Sequence, residues 1–199
     1  MDKQWIISIS REYGTGGHEI AEKISEIFGY PLYDRNLLEH VLGTDANVEE
    51  WRDCDEKPST FAFSQKLTGS KKSSEYTLAA RQFDYLKNKA QSGESFVVVG
   101  RCSEYVLREF EGLIPIFVLG DDACKLKRVM ELRNFTEKEA RAALNRHNRL
   151  RKRYHNSLCE GKWGDSRCYD LCINSSRLGI QGTVDLLENY IRCKMNQTK

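Results

Sequence analysis

Trp5-Ile-Ile-Ser-Ile-Ser-Arg-Glu-Tyr-Gly-Thr-Gly-Gly-His18 decides the fold. Its first half, Trp5 to Ser10, is a β-rich run, and Gly14-Thr-Gly-Gly17 then makes a glycine-rich turn. Beyond the turn Ile20, Ala21, Ile24, Ile27 and Phe28 recur at spacings of three and four, which predicts a helix with one apolar face. Gly29 stands where that helix should stop. Strand, glycine loop and helix in this order open many phosphate-binding α/β domains. Glycines let successive backbone N–H groups face one point, and the helix N-terminus adds partial positive charge. A tight strand-to-helix turn also needs glycines, so the turn alone leaves a purely structural reading open.

The rest of the chain continues the alternation. Pro31 to Tyr33, Ser95 to Val99, Ile114 to Leu119 and Tyr169 to Asn174 read as short strands, and Val97-Val-Val99 has the unbroken apolar character of a parallel strand covered on both faces. Helical periodicity is expected over 35–42, 75–91, 102–110, 121–133 and 183–193. Thr136-Glu-Lys-Glu139 has the form of a capping box opening a helix to about Leu158. Gly161-Lys-Trp-Gly164 interrupts the pattern. The segment 57–74 is polar and small-residue rich and reads as a mobile insertion rather than a linker, so residues 1–199 are expected to form a single domain. Strands alternating with helices predict a five-stranded parallel sheet with helices on both sides, the first strand central and the ligand site at the strands' carboxyl edge.

Composition bounds the function. The chain has 199 residues, 40% hydrophobic and 30% charged, with a net charge of +2, which argues against a general nucleic-acid binder. No apolar run is long enough to span a bilayer, and the acidic and polar N-terminus does not read as a secretory signal. A cytoplasmic location is therefore expected by elimination. Seven cysteines without a Cys-x-x-Cys pair predict reduced, mostly packed thiols rather than a zinc finger, and no metal ligand set is assigned. His40, His147 and His155 read as isolated, partly exposed helix residues without a role. Arg146, Arg149 and Arg153 share one helix face. That face is either solvated or aimed at a phosphate, with Arg151 pointing elsewhere, towards an acceptor or Asp165. Asp34 is either the N-cap of the next helix or a ligand group, and Arg101, directly after Gly100, is either an ion-pair partner or a ligand group.

Four segments in order, Ile9-Ser-Arg-Glu-Tyr-Gly-Thr-Gly-Gly-His-Glu-Ile-Ala21, Tyr30-Pro-Leu-Tyr-Asp-Arg35, Val99-Gly-Arg-Cys102 and Trp163-Gly-Asp with Tyr169-Asp-Leu-Cys-Ile-Asn-Ser-Ser-Arg-Leu-Gly-Ile180, resemble the cytidylate kinase-like family. The resemblance covers nearly the whole chain apart from 57–74. It implies the P-loop kinase fold, a three-layer sandwich with an arginine-rich helical lid at 136–168, and transfer of the ATP γ-phosphoryl group to CMP or a similar acceptor with Mg²⁺. It places the ATP phosphates at Gly14, Thr15, Gly16 and Gly17, flanked by Arg11 and His18. Asp34, Arg35 and Arg101 fall on the acceptor side, and Arg149, Arg151 and Arg153 in the lid as catalytic groups. Nucleotides are the implied partners; the oligomeric state is not implied.

The phosphate loop departs from the G-x-x-x-x-G-K-[ST] pattern. Set on this sequence, the pattern puts Arg11 at the first Gly, Gly16 at the second, Gly17 at the Lys and His18 at the Ser/Thr. Arg11 or His18 can restore positive charge, but neither restores the hydroxyl. This keeps a non-catalytic nucleotide- or phospholigand-binding module open beside the enzyme. If Gly17 accepts a side chain, Gly17→Lys should tighten ATP binding.

Overall fold

The computed structural model describes residues 3–34 and 72–197. Their order is β1 (Ile6–Arg11), α1 (Gly17–Phe28), β2 (Leu32–Tyr33), α2 (Lys72–Gln91), β3 (Phe96–Val99), α3 (Ser103–Val106), β4 (Leu113–Leu119), α4 (Asp122–Arg133), α5 (Glu137–Leu158), a 3₁₀ turn (Ser166–Cys168), β5 (Leu171–Asn174) and α6 (Ser175–Gln197). The five strands form one sheet in the order β2-β3-β1-β4-β5, parallel throughout. β1 lies at the centre, with Ile9 opposite Val99 on one side and Ile116 on the other.

Alternation along β1 divides the core. Ile7 and Ile9 face α1 and α6, packing with Ile20, Ala21, Ile24, Val184, Leu187 and Ile191. Ile6 faces the other way, with Phe96, Val98, Leu86 of α2, Leu107 and Cys159. Ser8 and Ser10 share the face of Ile6 and are nonetheless buried. The Ser8 hydroxyl lies 2.7 Å from that of Ser103, and Ser10 donates to Glu104 at 3.2 Å. Each buried hydroxyl thus has a partner, as desolvation demands.

Several boundaries differ from expectation, for local reasons. The helix expected over 102–110 is only the turn Ser103–Val106, because Arg101 and Cys102 before it are left-handed at φ 60° and 54°. α2 begins at Lys72, so 72–74 belong to a helix rather than to an insertion. The remainder of that segment, the helix expected over 35–42, Arg35 and His40 lie outside the described residues. α6 begins at Ser175 rather than Thr183 and is broken at Gly179, which has φ 70° and ψ 178°. The capping box is present: Thr136 Oγ1 accepts from the Glu139 N–H, and Glu139 accepts from the Thr136 N–H at 2.8 Å. The thiols are less packed than expected. Cys102 and Cys159 are buried, Cys168 and Cys172 half-buried, and Cys124 and Cys193 exposed.

The two kinds of buried residue on the second face differ in what their removal costs. Phe96→Ala should destabilise the protein by about 3–5 kcal/mol through lost transfer energy and a cavity. Ser8→Ala should cost about 1 kcal/mol, since Ser103 keeps its 2.7 Å bond to the Gly100 carbonyl. Urea denaturation of both variants checks the contrast, and equal losses would contradict it.

Candidate functional site

β1 ends at Arg11, and its backbone turns at Gly14 and Gly16, both left-handed at φ 83° and 75°, into α1. The first helical bond runs from Ile20 N–H to Gly16 O at 3.0 Å. The N–H groups of Gly17, His18 and Glu19 therefore have no acceptor within the helix, and they face outward from its positive end. Thr15 is buried and fixes the loop from inside: its hydroxyl donates to the Glu12 carbonyl at 2.9 Å, and its own carbonyl accepts from Ser175 Oγ at 2.8 Å. The hydroxyl of Thr15 is thereby committed to the loop itself.

The Arg11 side chain crosses the front of this cradle. A Cβ on Gly17 would lie 2.6 Å from Arg11 Cβ and 2.8 Å from its Cγ, while a Cβ on Gly100 would lie 2.4 Å from Arg11 Nη1. Arg11 therefore runs from the start of α1 to the end of β3, and Gly17 leaves the room its Cβ and Cγ occupy. The expectation that Gly17 could accept a lysine fails on this ground. Arg11 fills the space that a side chain at 17 would require.

α5 grips the same loop along one face. Asn148 Oδ1 accepts from the Tyr13 N–H at 2.7 Å, and His147 stacks on the Tyr13 ring with centroids 4.2 Å apart. Arg151 donates to the Arg11 carbonyl at 3.1 Å and lies over the Tyr13 ring. Leu144 packs under Gly14 together with Val129 of α4. Of the arginines singled out from the sequence, Arg151 reaches the loop, while Arg146, Arg149 and Arg153 are exposed. Asp165 is bonded to Arg167, at 2.9 Å from Nε, and this takes the place of the pairing expected with Arg151. His147, expected to be isolated, is held against the loop.

On the other flank His18 Nε2 lies 3.3 Å from Glu22 and 3.5 Å from Asp34, whose carboxylate is buried at the end of β2. Arg101 is half-buried at the end of β3. With Gly100 and Cys102 it forms three consecutive left-handed residues, a conformation costing about 1–2 kcal/mol for each non-glycine residue. Asp34 and Arg101 thus stand with the glycine loop at the carboxyl edge of the sheet.

Sequence reasoning passed over two cations of α4. Lys125 is buried, 2.7 Å from Glu12 Oε2 and 2.9 Å from Asp122 Oδ1. Burial alone would lower its pKa, but its hydrogen bonds to Glu12 and Asp122 reverse that and raise it. Arg128 pairs with Glu19 in the first turn of α1 at 2.7 Å, its guanidinium beside Gly16. Their spacing to Glu12 and Glu19 carries no local signal, because over a hundred residues separate the partners.

A buried polar cluster behind the loop was also missed. His155 is not partly exposed: it is 4% exposed, with Nε2 2.6 Å from Glu104 Oε1. Burial opposes its protonation, yet hydrogen bonds with Cys159 and Glu104 outweigh this and raise its pKa to about 10. The hydrogen bond from Cys102 lowers the Cys159 thiol to about 6, with burial working against it and His155 with it.

The profile of the cytidylate kinase-like family matches residues 6–177. The chain belongs to this family. The match runs from β1 through the glycine loop, α5 and β5 to Arg177, so every described element of the site lies within it. A crystal structure of an uncharacterized protein from Eubacterium ventriosum is 36% identical, with 95% of this chain and 99% of that chain covered and a TM-score of 0.76. Shikimate kinase from Bacteroides thetaiotaomicron is 13% identical over 94% of this chain and 98% of its own, with a TM-score of 0.56. A gluconokinase from Sinorhizobium meliloti is 16% identical over 100% and 99%, with a TM-score of 0.53. The last two share the fold, the parallel α/β sandwich of P-loop kinases. No curated protein matches the chain by sequence. Among the described residues no helix is long and apolar enough to cross a membrane.

The contact of Gly17 with Arg11 gives a direct test. Gly17→Lys should lose about 1–3 kcal/mol of stability through overpacking and should not tighten ATP binding. Urea denaturation and calorimetric titration with ATP check the two halves; a stable variant with higher affinity would contradict the placement of Arg11.

Proposed function

We propose that this cytidylate kinase-like protein is an ATP-dependent phosphotransferase that moves the γ-phosphoryl group to CMP or a similar small acceptor. The observation carrying this reading is Arg11, stretched from the phosphate loop at Gly17 to the turn after β3 at Gly100. A guanidinium there stands between a donor on the loop and an acceptor near Arg101, where the transferred group must pass.

The loop residues fit the phosphates of ATP. The N–H groups of Gly17, His18 and Glu19 supply donors that do not depend on side chains, and Arg11 supplies the charge that the lysine would bring. Gly14, Thr15 and Gly16 shape the cradle. Among the described residues the loop offers no hydroxyl at the position usual for Mg²⁺, since His18 stands there and Thr15 Oγ1 is bonded to Glu12. Phosphoryl transfer needs positioning and charge neutralisation rather than a covalent nucleophile, and the chain's own groups supply both. Asp34, Arg35 and Arg101 are assigned to the acceptor, and Arg149, Arg151 and Arg153 of α5, read as a lid within 136–168, to the transferring group. Arg151 also holds the loop carbonyl of Arg11 in place. The whole chain, 1–199, is read as one domain built around this site.

The lost lysine and hydroxyl favour one rival, a nucleotide-binding module without turnover. A coupled assay with ATP and each nucleoside monophosphate, preceded by calorimetry, separates the two. Arg149→Ala and Arg153→Ala should leave the melting temperature nearly unchanged, as exposed positions do, while removing most turnover; comparable arginines contribute about 10³–10⁵ in rate. Arg11→Ala should weaken ATP binding as well as turnover. Parent-like rates in both α5 variants would end the lid assignment, and an inactive parent that binds ATP would leave the binding module.

A further inference from the structure

The buried cluster behind the phosphate loop is built like a metal centre. We propose that Glu104, His155 and Cys159 bind a zinc-class divalent cation that pins the end of α5 to the sheet. This goes beyond the phosphotransferase reading and does not depend on it.

The ligand atoms of Glu104, His155 and Cys159 all lie within 4.8 Å of one another, and all three residues are buried. The three come from two parts of the chain, and Cys102, also buried, stands two residues before Glu104. A thiol, an imidazole and a carboxylate suit a tetrahedral, borderline-soft ion such as Zn²⁺, with its fourth position open, rather than Mg²⁺ or Ca²⁺. Tetrahedral bonds of about 2.0–2.3 Å set neighbouring ligand atoms about 3.3–3.8 Å apart. The Glu104–His155 contact of 2.6 Å must then open by about 0.7 Å as the carboxylate turns to the ion. That is a side-chain rotation and leaves the backbone in place.

The backbone presents these groups in two short pieces. His155 and Cys159 are four apart at the end of α5, hence on one face, and the Cys159 N–H closes the helix on the His155 carbonyl at 2.9 Å. Cys102 and Glu104 flank the entry to α3, in the left-handed turn that begins at Gly100.

The surroundings orient the ligands as metal sites require. Asn156 Oδ1 lies 3.3 Å from His155 Nδ1 and accepts from the Trp163 N–H at 2.8 Å. The amide oxygen can accept the Nδ1 proton, and Nε2 becomes the ligand atom when the ion displaces the proton it shares with Glu104. Ser10 Oγ donates to the second oxygen of Glu104. The buried hydroxyl of Tyr169 lies close to the cluster, beside Ser10 and Glu104. An ion has a way in: a cavity of about 460 Å³ bounded by Arg108, Phe110, Gly161 and Cys168 has Glu104 and His155 in its wall.

The test uses the full untagged chain, stripped with a chelator and titrated with Co²⁺ alone. Binding at this site gives the intense near-ultraviolet sulfur-to-cobalt band and the visible bands of a tetrahedral ion, saturating at about one ion per chain. Zn²⁺ then bleaches both and raises the melting temperature. Cys159→Ser and Glu104→Gln should weaken Co²⁺ binding at least about tenfold, while Cys193→Ser, an exposed thiol, leaves it intact. Where a variant fails to fold, the parent titration decides alone. A weak octahedral spectrum without the sulfur band, or a band that survives Cys159→Ser, overturns the proposal. None of these readouts involves a nucleotide, so they stand apart from the outcome of the turnover assay.

Discussion

Everything at the candidate site hangs on one constraint: β1 is hydrogen-bonded to a neighbour on each side and buried on each face. A strand held in this way cannot shift register without turning Ile7 and Ile9 out of one core and Ile6 out of the other. Its carboxyl end is therefore fixed, and the chain that leaves it must turn at Gly14 and Gly16 into α1. Arg11, as the last residue of the strand, inherits that rigidity. So does Ser10, one position earlier on the opposite face. The front of the site and the polar cluster behind it are thus two sides of one strand end.

The fold was legible because its signals are local. The apolar runs of β1, β3 and β4 are unbroken, the periodicity of α1 follows its glycines directly, and Thr136 and Glu139 announce α5 three residues apart. All five strands fall within two residues of where the sequence puts them, and β1 is central as expected. The errors arose where backbone conformation overrode composition. The left-handed pair Arg101 and Cys102 cuts short a segment with good helical pattern, and Gly179 breaks α6 into a short first piece and the longer helix after it.

The site was legible only in part, for a different reason. Glycines and arginines near one another in sequence could be grouped, whereas contacts across the fold could not. Glu12 meets Lys125, Glu19 meets Arg128, and Glu104 meets His155 over separations of 51 to 113 residues. Ser8 and Ser10 did carry a signal: two hydroxyls alternating on a strand covered on both faces imply a polar partner inside the core. The sequence could not say that the partners are Ser103 and Glu104. The metal-type donor set escaped because it is divided between Glu104 and His155-x-x-x-Cys159, which lack the spacing of a zinc finger.

The grip of α5 on the phosphate loop has a further consequence, for hydration. Asn148 accepts from the N–H of Tyr13, and Arg151 donates to the carbonyl of Arg11. Were α5 to swing away, both bonds would break together and water would compete for those main-chain groups. A loop released by α5 would therefore be a wetter one. Loop and helix thus cannot rearrange independently: how water enters the site is set by a segment more than a hundred residues further along the chain.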